Sequence, residues 1–566
     1  MVIQSYSSLF ETPRIQLSRE AFENSGIGIF SSEKIPFADR TGPAFAQNLV
    51  NLFSDRVKSL QNQGRSFPEG IHIYELGAGT GILAKRILDL VKTKHPNIYF
   101  QTILHVSDIS KPMIDQLKLL NDFKKYSGHI SFEIIDAIKP HFTYRPLLIY
   151  FTNLIDSLPY QRQILIKEGQ IFEFQVQTSL KMDAQIIDAT SYPPRILEEK
   201  EIAQLLSSPN LKRRLILTHQ ILPLLEEEGK FTSLDEITNM NPEERTDLTK
   251  LAASQNKTQP FVFNYSYPAR TAIQRTIRGL DTGGFIFFSD FGITSREHKP
   301  VLYLQCGSVT YFAVDFPSFL QIAQVAGKKT YVTSNAPGHP QEMLIDTQPT
   351  DSQVTRHFRQ VSLGNWQDQV NDFLKKIKAI LSPGQETNAQ KTREISQLYA
   401  SLPREVKHNY QLLNDLAFFL LQAKFYNQAD FYANLLFKHY GHATGVFYYL
   451  VKGKAAQEKG QPKVAEKFFK DAAEGKKGFF AWAYLGELYW KQQRYPEYIK
   501  AIKEYLKYTR AGNHLKSILS IALAQEKLFD RQAAQKTLQE LVRIGRKLKT
   551  LSDLEKQSLE QARKLL

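Results

Sequence analysis

Between a short apolar run, Ile71-His-Ile-Tyr74, and an amphipathic stretch from Ile82 to Val91, the chain reads Glu75-Leu-Gly77-Ala-Gly79-Thr-Gly81. Glycine at alternate positions lets a backbone turn sharply and approach a ligand with no Cβ in the way, so this spacing predicts a strand, a tight loop and a helix in immediate succession. The same alternation continues beyond it. Phe100 to Asp108, Ser131 to Asp136 and Leu147 to Thr152 read as strands, with Met113 to Phe123 as an intervening helix. Strands alternating with helices of this length predict βαβ units and a Rossmann-like parallel sheet.

Downstream, Gln163 to Ile166 and Ile171 to Val176 read as a hairpin in which Gly169 takes the positive φ of the turn. Residues of about 185–255 are polar and read as a helical insertion, with Ser233 and Glu236 spaced as a capping box. The sheet pattern resumes at Gln259 to Tyr265, at Gly283 to Asp290 and at Val309 to Phe316, and a helix follows to about Ala326. Residues 335–352 read as a loop, and a linker begins at Ser382. Ahead of the sheet, the first 65 residues read as mixed helix and loop, with Ile35 to Pro43 leading into a periodic apolar stretch.

Past about residue 405 the strand pattern ends and a repeat of roughly 34 residues takes over, the tetratricopeptide length. Its best unit is Trp482-x-x-Leu485-Gly486-x-x-Tyr489 followed by Tyr495, and a second carries Gly453, Gly460, Ala465, Phe469 and Ala472. Small residues let paired helices approach while aromatic ones fill the adjoining hollow. Weaker units lie around Leu413 to Leu436 and Ile518 to Leu541. The expected organisation is a segment 1–65 packed on an α/β domain 66–365, a helix and linker 366–402, and an all-α tetratricopeptide-type solenoid 403–566.

The loop chemistry narrows the ligand. A phosphate loop would need Lys-Ser/Thr after its last glycine, and a dinucleotide fingerprint would place glycine where Ile82 stands. Glu75, two residues before Gly77, would repel a pyrophosphate but suits a cation. S-adenosylmethionine carries a sulfonium and an ammonium and no phosphate, and fits that demand. Asp108, at the end of the next strand, can accept from both ribose hydroxyls, and Asp136, one strand further, from the adenine amine. The expected cofactor contacts are therefore Glu75, Gly77, Ala78, Gly79, Gly81, Asp108, Ile109, Asp136 and Ala137.

With those residues in place, the chain resembles the class I S-adenosylmethionine-dependent methyltransferases, whose first motif is an acid followed by Gly-x-Gly-x-Gly. More narrowly it resembles the MidA-like family, which includes the mitochondrial complex I assembly methyltransferase. That resemblance also rests on Asp108-Ile-Ser110, on Thr152-Asn153-Leu-Ile-Asp156-Ser-Leu-Pro159, on Ser289-Asp290-Phe-Gly292 and on Val309-Thr310 through Phe316, in that order over roughly residues 25–350. It implies a class I methyltransferase fold, transfer of a methyl group, and Asn153 and Asp156 at the catalytic edge. The family's fourth-strand motif reads Ala-Asn-Glu, and here Leu154 replaces the glutamate. If that glutamate steers or deprotonates a guanidinium acceptor, leucine cannot, so arginine methylation is the part of the resemblance put in question.

Composition bounds the rest. A single cysteine, Cys306, excludes an intramolecular disulfide framework and a cysteine-rich zinc site, and no metal-ligand spacing joins His72, His105 and His141. With no secretion-type leader and no long apolar run, a cytoplasmic protein without a membrane span is expected. Residues 401–566 hold 29 Lys+Arg against 16 Asp+Glu, whereas the first 400 hold 43 against 41. The basic excess thus sits in the repeats, which are expected to dock a protein partner or substrate, with nucleic acid the less favoured choice. The leading expectation is a methyltransferase acting on a protein that its repeats recruit. The alternatives are a non-catalytic scaffold and a small-molecule methyltransferase with the insertion as a lid.

Overall fold

A computed structural model of the chain describes residues 1–28, 42–253, 260–294, 303–306, 309–333, 340–348, 358, 366–382, 387–475, 478–508, 513–549 and 551–566. Most of the stretch from Ile35 to Pro43 and residues 383–386 of the linker that begins at Ser382 lie outside those residues. Of the stretch 335–352, expected as a loop, residues 335–339 and 349–352 lie outside, and the described part corrects that expectation, because Pro340–Asp346 is a strand paired with Phe285–Phe291.

Among the described residues the central sheet has eight strands, of which the two-residue Val314–Asp315 only flanks the end of Phe285–Ile293 and seven make its main path: β1 (Ile71–Leu76), β2 (Thr102–Asp108), β3 (Ile130–Ile134), β4 (Leu148–Thr152), β5 (Phe285–Ile293), β6 (Lys329–Val332) and β7 (Pro340–Asp346). Their spatial order is β6-β7-β5-β4-β1-β2-β3. The five from β3 to β5 run parallel, and β7 inserts antiparallel between β5 and β6. Every residue of β1 is buried, as expected of a strand covered on both faces. One face packs on helices α1 (Pro43–Asn62) and α2 (Ile82–Lys94) through Leu49, Phe53, Leu83 and Leu88. The other meets the helices Tyr267–Gly279 and Phe316–Val325 through Ile273, Ile277, Phe316 and Phe319. His72 and His105 lie inside this sheet, Nδ1 of the first 2.9 Å from Nε2 of the second, and His105 turns its Nδ1 to Glu133.

A second, antiparallel sheet orders Val2–Ser8, Gln170–Leu180, Arg162–Lys167 and Phe261–Tyr265, with Leu225–Ser233 also paired to Gln170–Leu180. The hairpin at 162–180 turns through Glu168 and Gly169, both at positive φ (54° and 80°). Three expectations change here. The N-terminal segment opens with a strand rather than helix and loop. The 185–255 insertion contains strands at Gln185–Asp188, Arg195–Glu198 and Leu225–Ser233 as well as helices. Its Glu-rich Leu225–Ser233 looks helical from composition, but the register with Gln170–Leu180 sets Phe231 beside Phe174, ring centroids 5.2 Å apart. Ser233 makes no capping bond, because only a three-residue 3-10 turn follows it; the insertion's capping box is Glu198 with Glu201 instead.

Beyond the sheets the described residues are mainly helical. Tyr410–Gln422 packs on α3 (Tyr426–Tyr440), α4 (Val446–Glu458) on α5 (Pro462–Lys470), Phe479–Lys491 on Tyr495–Leu506, and His514–Lys527 on Arg531–Lys547, before a last helix, Asp553–Leu565. Each pair also meets the next, so the helices form one continuous array. The earlier helix Trp366–Leu381 shares the array's core through Val370, Phe373, Leu374 and Ile377. Among the described residues, no helix is long and apolar enough to cross a membrane.

Candidate functional site

The strand order reverses at β1, with β2 and β3 on one side of it and β4 and β5 on the other. A crevice therefore opens at the carboxyl ends of these strands, where open α/β sheets bind ligands. All the expected site residues fall along that edge.

The loop from β1 to α2 carries Gly77, Gly79 and Gly81 at φ 66°, 53° and 68°. An added Cβ at Gly81 would stand 2.7 Å from Leu117 Cδ2, and one at Gly77 2.9 Å from Leu154 Cδ1, so backbone conformation and space both demand glycine. The buried Ala78 donates its amide to the Ser107 carbonyl at 2.8 Å, tying the loop to β2. Gly79 donates to Asp108 Oδ2 at 3.2 Å, and Ser110 to Asp108 Oδ1 at 2.9 Å. One buried carboxylate at the end of β2 thus pins the glycine loop and its own following turn. Burial raises the Asp108 pKa, and the amides of Ser110, Gly79 and Ile109 offset part of that rise. Ile109 itself is 46 % exposed at the mouth of the crevice.

Glu75 lies at the floor, 4 % exposed, in register with Tyr150 on β4. Burial pushes its carboxyl up to about 8; the Tyr150 hydroxyl holds it back somewhat and the Asp108 carboxylate adds to the rise. Among the described residues its Oε2 has no hydrogen-bond partner. A buried carboxylate with an oxygen left over calls for a cation, which is the demand that S-adenosylmethionine meets. Asp136, past β3, is half-buried; its Oδ1 accepts from the Ile138 amide at 2.9 Å, and Ala137 lies between them, also half-buried.

After β4 the chain turns at Asn153, which holds a left-handed φ of 49° and donates its amide to the Ser289 carbonyl at 2.9 Å. A short 3-10 turn, Ile155–Ser157, then brings in the buried Asp156. The group organising this turn is one to which sequence reasoning assigned no role. Fully buried in β5, one residue past its pairing with β4, Asp290 accepts on Oδ2 from the amides of Leu154, Ile155 and Asp156 at 3.1, 2.8 and 3.3 Å, and on Oδ1 from Phe291 at 2.9 Å. Burial pushes its carboxyl up to about 6, against the lowering effect of a hydrogen bond with Asp156 and of these amides. The available signal was an acid closing the most apolar strand of the second half. A second missed residue, His442, reaches the glycine loop from the helical array, its Nε2 2.6 Å from the Thr80 carbonyl.

Comparison with known proteins bears on this geometry. A family model described as "Putative S-adenosyl-L-methionine-dependent methyltransferase" matches residues 55–331. No curated protein matches the chain. Among solved structures, the chain is similar to a Burkholderia thailandensis superfamily protein, described as a "likely methyl transferase" and bound to S-adenosylhomocysteine, at 14 % identity and TM-score 0.32. That match covers 53 % of this chain and 65 % of the other, so the chain spans just under two thirds of that protein. A second protein of that superfamily from the same organism gives 12 % identity and TM-score 0.38 over 62 % of this chain and 89 % of its own. A repeat-containing protein of Cytophaga hutchinsonii gives 12 % identity and TM-score 0.26 over 35 % and 78 %. The family match coincides with the glycine loop, the three strand-end acids and the Asn153–Asp156 turn, and makes this part of the chain an S-adenosylmethionine-dependent methyltransferase domain with S-adenosylmethionine as its cofactor.

Proposed function

We propose that the whole protein methylates a protein substrate presented by its basic helical array, and that its methyltransferase domain is of the MidA-like kind. The observation that carries the cofactor assignment is Glu75, a buried carboxylate with an unpartnered oxygen beneath the glycine loop. When bound, the cofactor supplies a sulfonium methyl that an acceptor displaces in line. In this reading Glu75 faces the cationic end, and Asp108 accepts from the ribose hydroxyls while keeping the loop closed through Gly79. Ile109 and Ala137 flank the adenine, and Asp136 accepts from its amine. Asn153 and Asp156 orient the acceptor, on a turn that Asp290 stiffens. The helix pairs of the array agree in position with the tetratricopeptide units read from the sequence, and the basic excess of residues 401–566 suits an acidic partner surface. A cytoplasmic setting is part of the same proposal.

One observation favours a second reading, a methyltransferase-like scaffold without transfer. The Leu154 side chain lies over Gly77, placing an apolar group where the MidA-like motif carries a carboxylate. Calorimetric titration with S-adenosylmethionine tests the shared part of both readings. Micromolar binding, about −8 kcal/mol, that is lost in Gly79→Arg and Asp108→Ala supports the site, and a folded wild-type protein that does not bind refutes it. Incubation with labelled donor then separates the two: methylated protein bands support transfer, and tight binding with no labelled product favours the scaffold.

A further inference from the structure

The Thr80 carbonyl lies inside the cofactor loop, between Gly79 and Gly81, and what touches it comes from more than 350 residues away in the chain. His442 belongs to the turn Gly441–Ala443 that links α3 to α4. A carbonyl oxygen only accepts, so His442 Nε2 carries the proton and donates to Thr80 at 2.6 Å. On the other side of the ring, Nδ1 faces Asp122 Oδ2 at 3.4 Å, and the Phe123 ring lies 6.2 Å away. Phe123 is also one of the two side chains that a Cβ at Gly81 would strike, at 3.0 Å.

The turn is held from behind as well. Thr444 donates its amide and hydroxyl to the Gly441 carbonyl at 3.1 and 2.6 Å, and Gly445 donates to the Tyr410 hydroxyl at 3.3 Å. In front of it, Arg86 of α2 donates to the His439 carbonyl at 2.7 Å and lies over the Tyr440 ring at 4.9 Å. Ile82, the first residue of α2, is buried in the array's own core. The imidazole is therefore fixed at both ends, and the loop it touches is the one whose backbone must stay in a left-handed, ligand-ready shape.

We infer that His442 is a positioning residue for the cofactor loop, so that the helical array completes the cofactor site as well as offering a docking surface. The inference rests on residues 75–81 being that loop, and its test separates the two ideas. S-adenosylhomocysteine is titrated into the intact protein, into His442→Leu, which keeps volume and loses the donor, and into His442→Gln, which keeps an N–H for the carbonyl. Loss of one hydrogen bond to a loop that pays its own ordering predicts about fivefold to tenfold weaker binding for His442→Leu, with His442→Gln within about twofold of wild type.

Wild-type binding with His442→Leu unchanged overturns the inference alone. Equal losses in both variants also overturn it, because packing and not donation would then be the cause. A wild-type protein that does not bind removes the cofactor reading and the inference together. Hydrogen exchange on the unmodified chain gives a measurement independent of any variant's folding. The nucleoside should slow the amides of 441–444 together with those of 77–82, and protection confined to 77–82 overturns the coupling.

Discussion

Glu75 combines burial, a raised pKa and an unpartnered oxygen, so proton and cofactor should compete at one carboxyl. Below pH 4.5 the group is protonated in folded and unfolded chains alike. Between 4.5 and about 8 the unfolded chain gives up the proton and the folded one keeps it, so the ligand-free protein loses stability as pH rises through that window. Glu75→Gln should flatten that slope in urea titrations run at several pH values. A cationic ligand pulls the other way and favours the carboxylate. Binding of S-adenosylmethionine at pH 7 should therefore release a proton, and affinity should rise between pH 6 and 8. Calorimetry in buffers of different ionisation enthalpy measures the proton directly, and Glu75→Gln isolates this carboxyl from the ligand's own amine. Equal proton release by wild type and Glu75→Gln would exclude Glu75 as its source. This residue was legible in the sequence because a motif spacing placed it; Asp290 was not, because its role depends on amides that lie more than 130 residues away.

At the scale of elements, strands and helices were readable where one periodicity ruled a segment. The runs at β1, β4 and β5 show it, as do the helix pairs of the array. Leu225–Ser233 was misread because its local composition favours helix and only its long partner strand makes it β. Of the small residues read as close-approach points in the array, Gly453 and Gly486 are such points, and Gly460 is not. An added Cβ at Gly453 on α4 would overlap the Phe469 ring of α5, whereas Gly460 has open space around it and a φ of 71° at the end of α4. Gly453→Ala should thus act through overpacking, costing about 1–3 kcal/mol. Gly460→Ala should act through backbone strain, at roughly 1–2 kcal/mol. A compensating Phe469→Leu should recover much of the first loss and none of the second, since only the first pair is in contact. Denaturant unfolding of the two double variants decides this, and equal rescue of both would contradict the packing argument.

For the molecule as a whole, the sequence suggested a catalytic domain with a detachable docking module, whereas the contacts describe an array that grips the domain at two places. Near the glycine loop it does so through His439, Tyr440 and His442. At its other end Lys549 donates its amide to Gln185 at 3.0 Å and pairs with Asp183, while Ile187 and Ala189 of the insertion are buried in the array's core. Such contacts were not legible beforehand, because each half of the chain shows a self-sufficient pattern and nothing in either periodicity marks the face turned toward the other. They alter what truncation measures. If the repeats only recruited substrate, ending the chain near residue 400 would raise KM and leave the domain intact. With Ile82 buried among the array's helices and Arg86 bonded to one of them, the shortened chain exposes an apolar residue at the start of α2 and releases the loop that α2 follows. The shortened protein should melt at a lower temperature than the full chain and bind S-adenosylhomocysteine more weakly even with no methyl acceptor present. Differential scanning calorimetry with and without the nucleoside measures both effects. A truncated chain with the melting temperature and nucleoside affinity of the full protein would return the array to the role of a tethered recruiter.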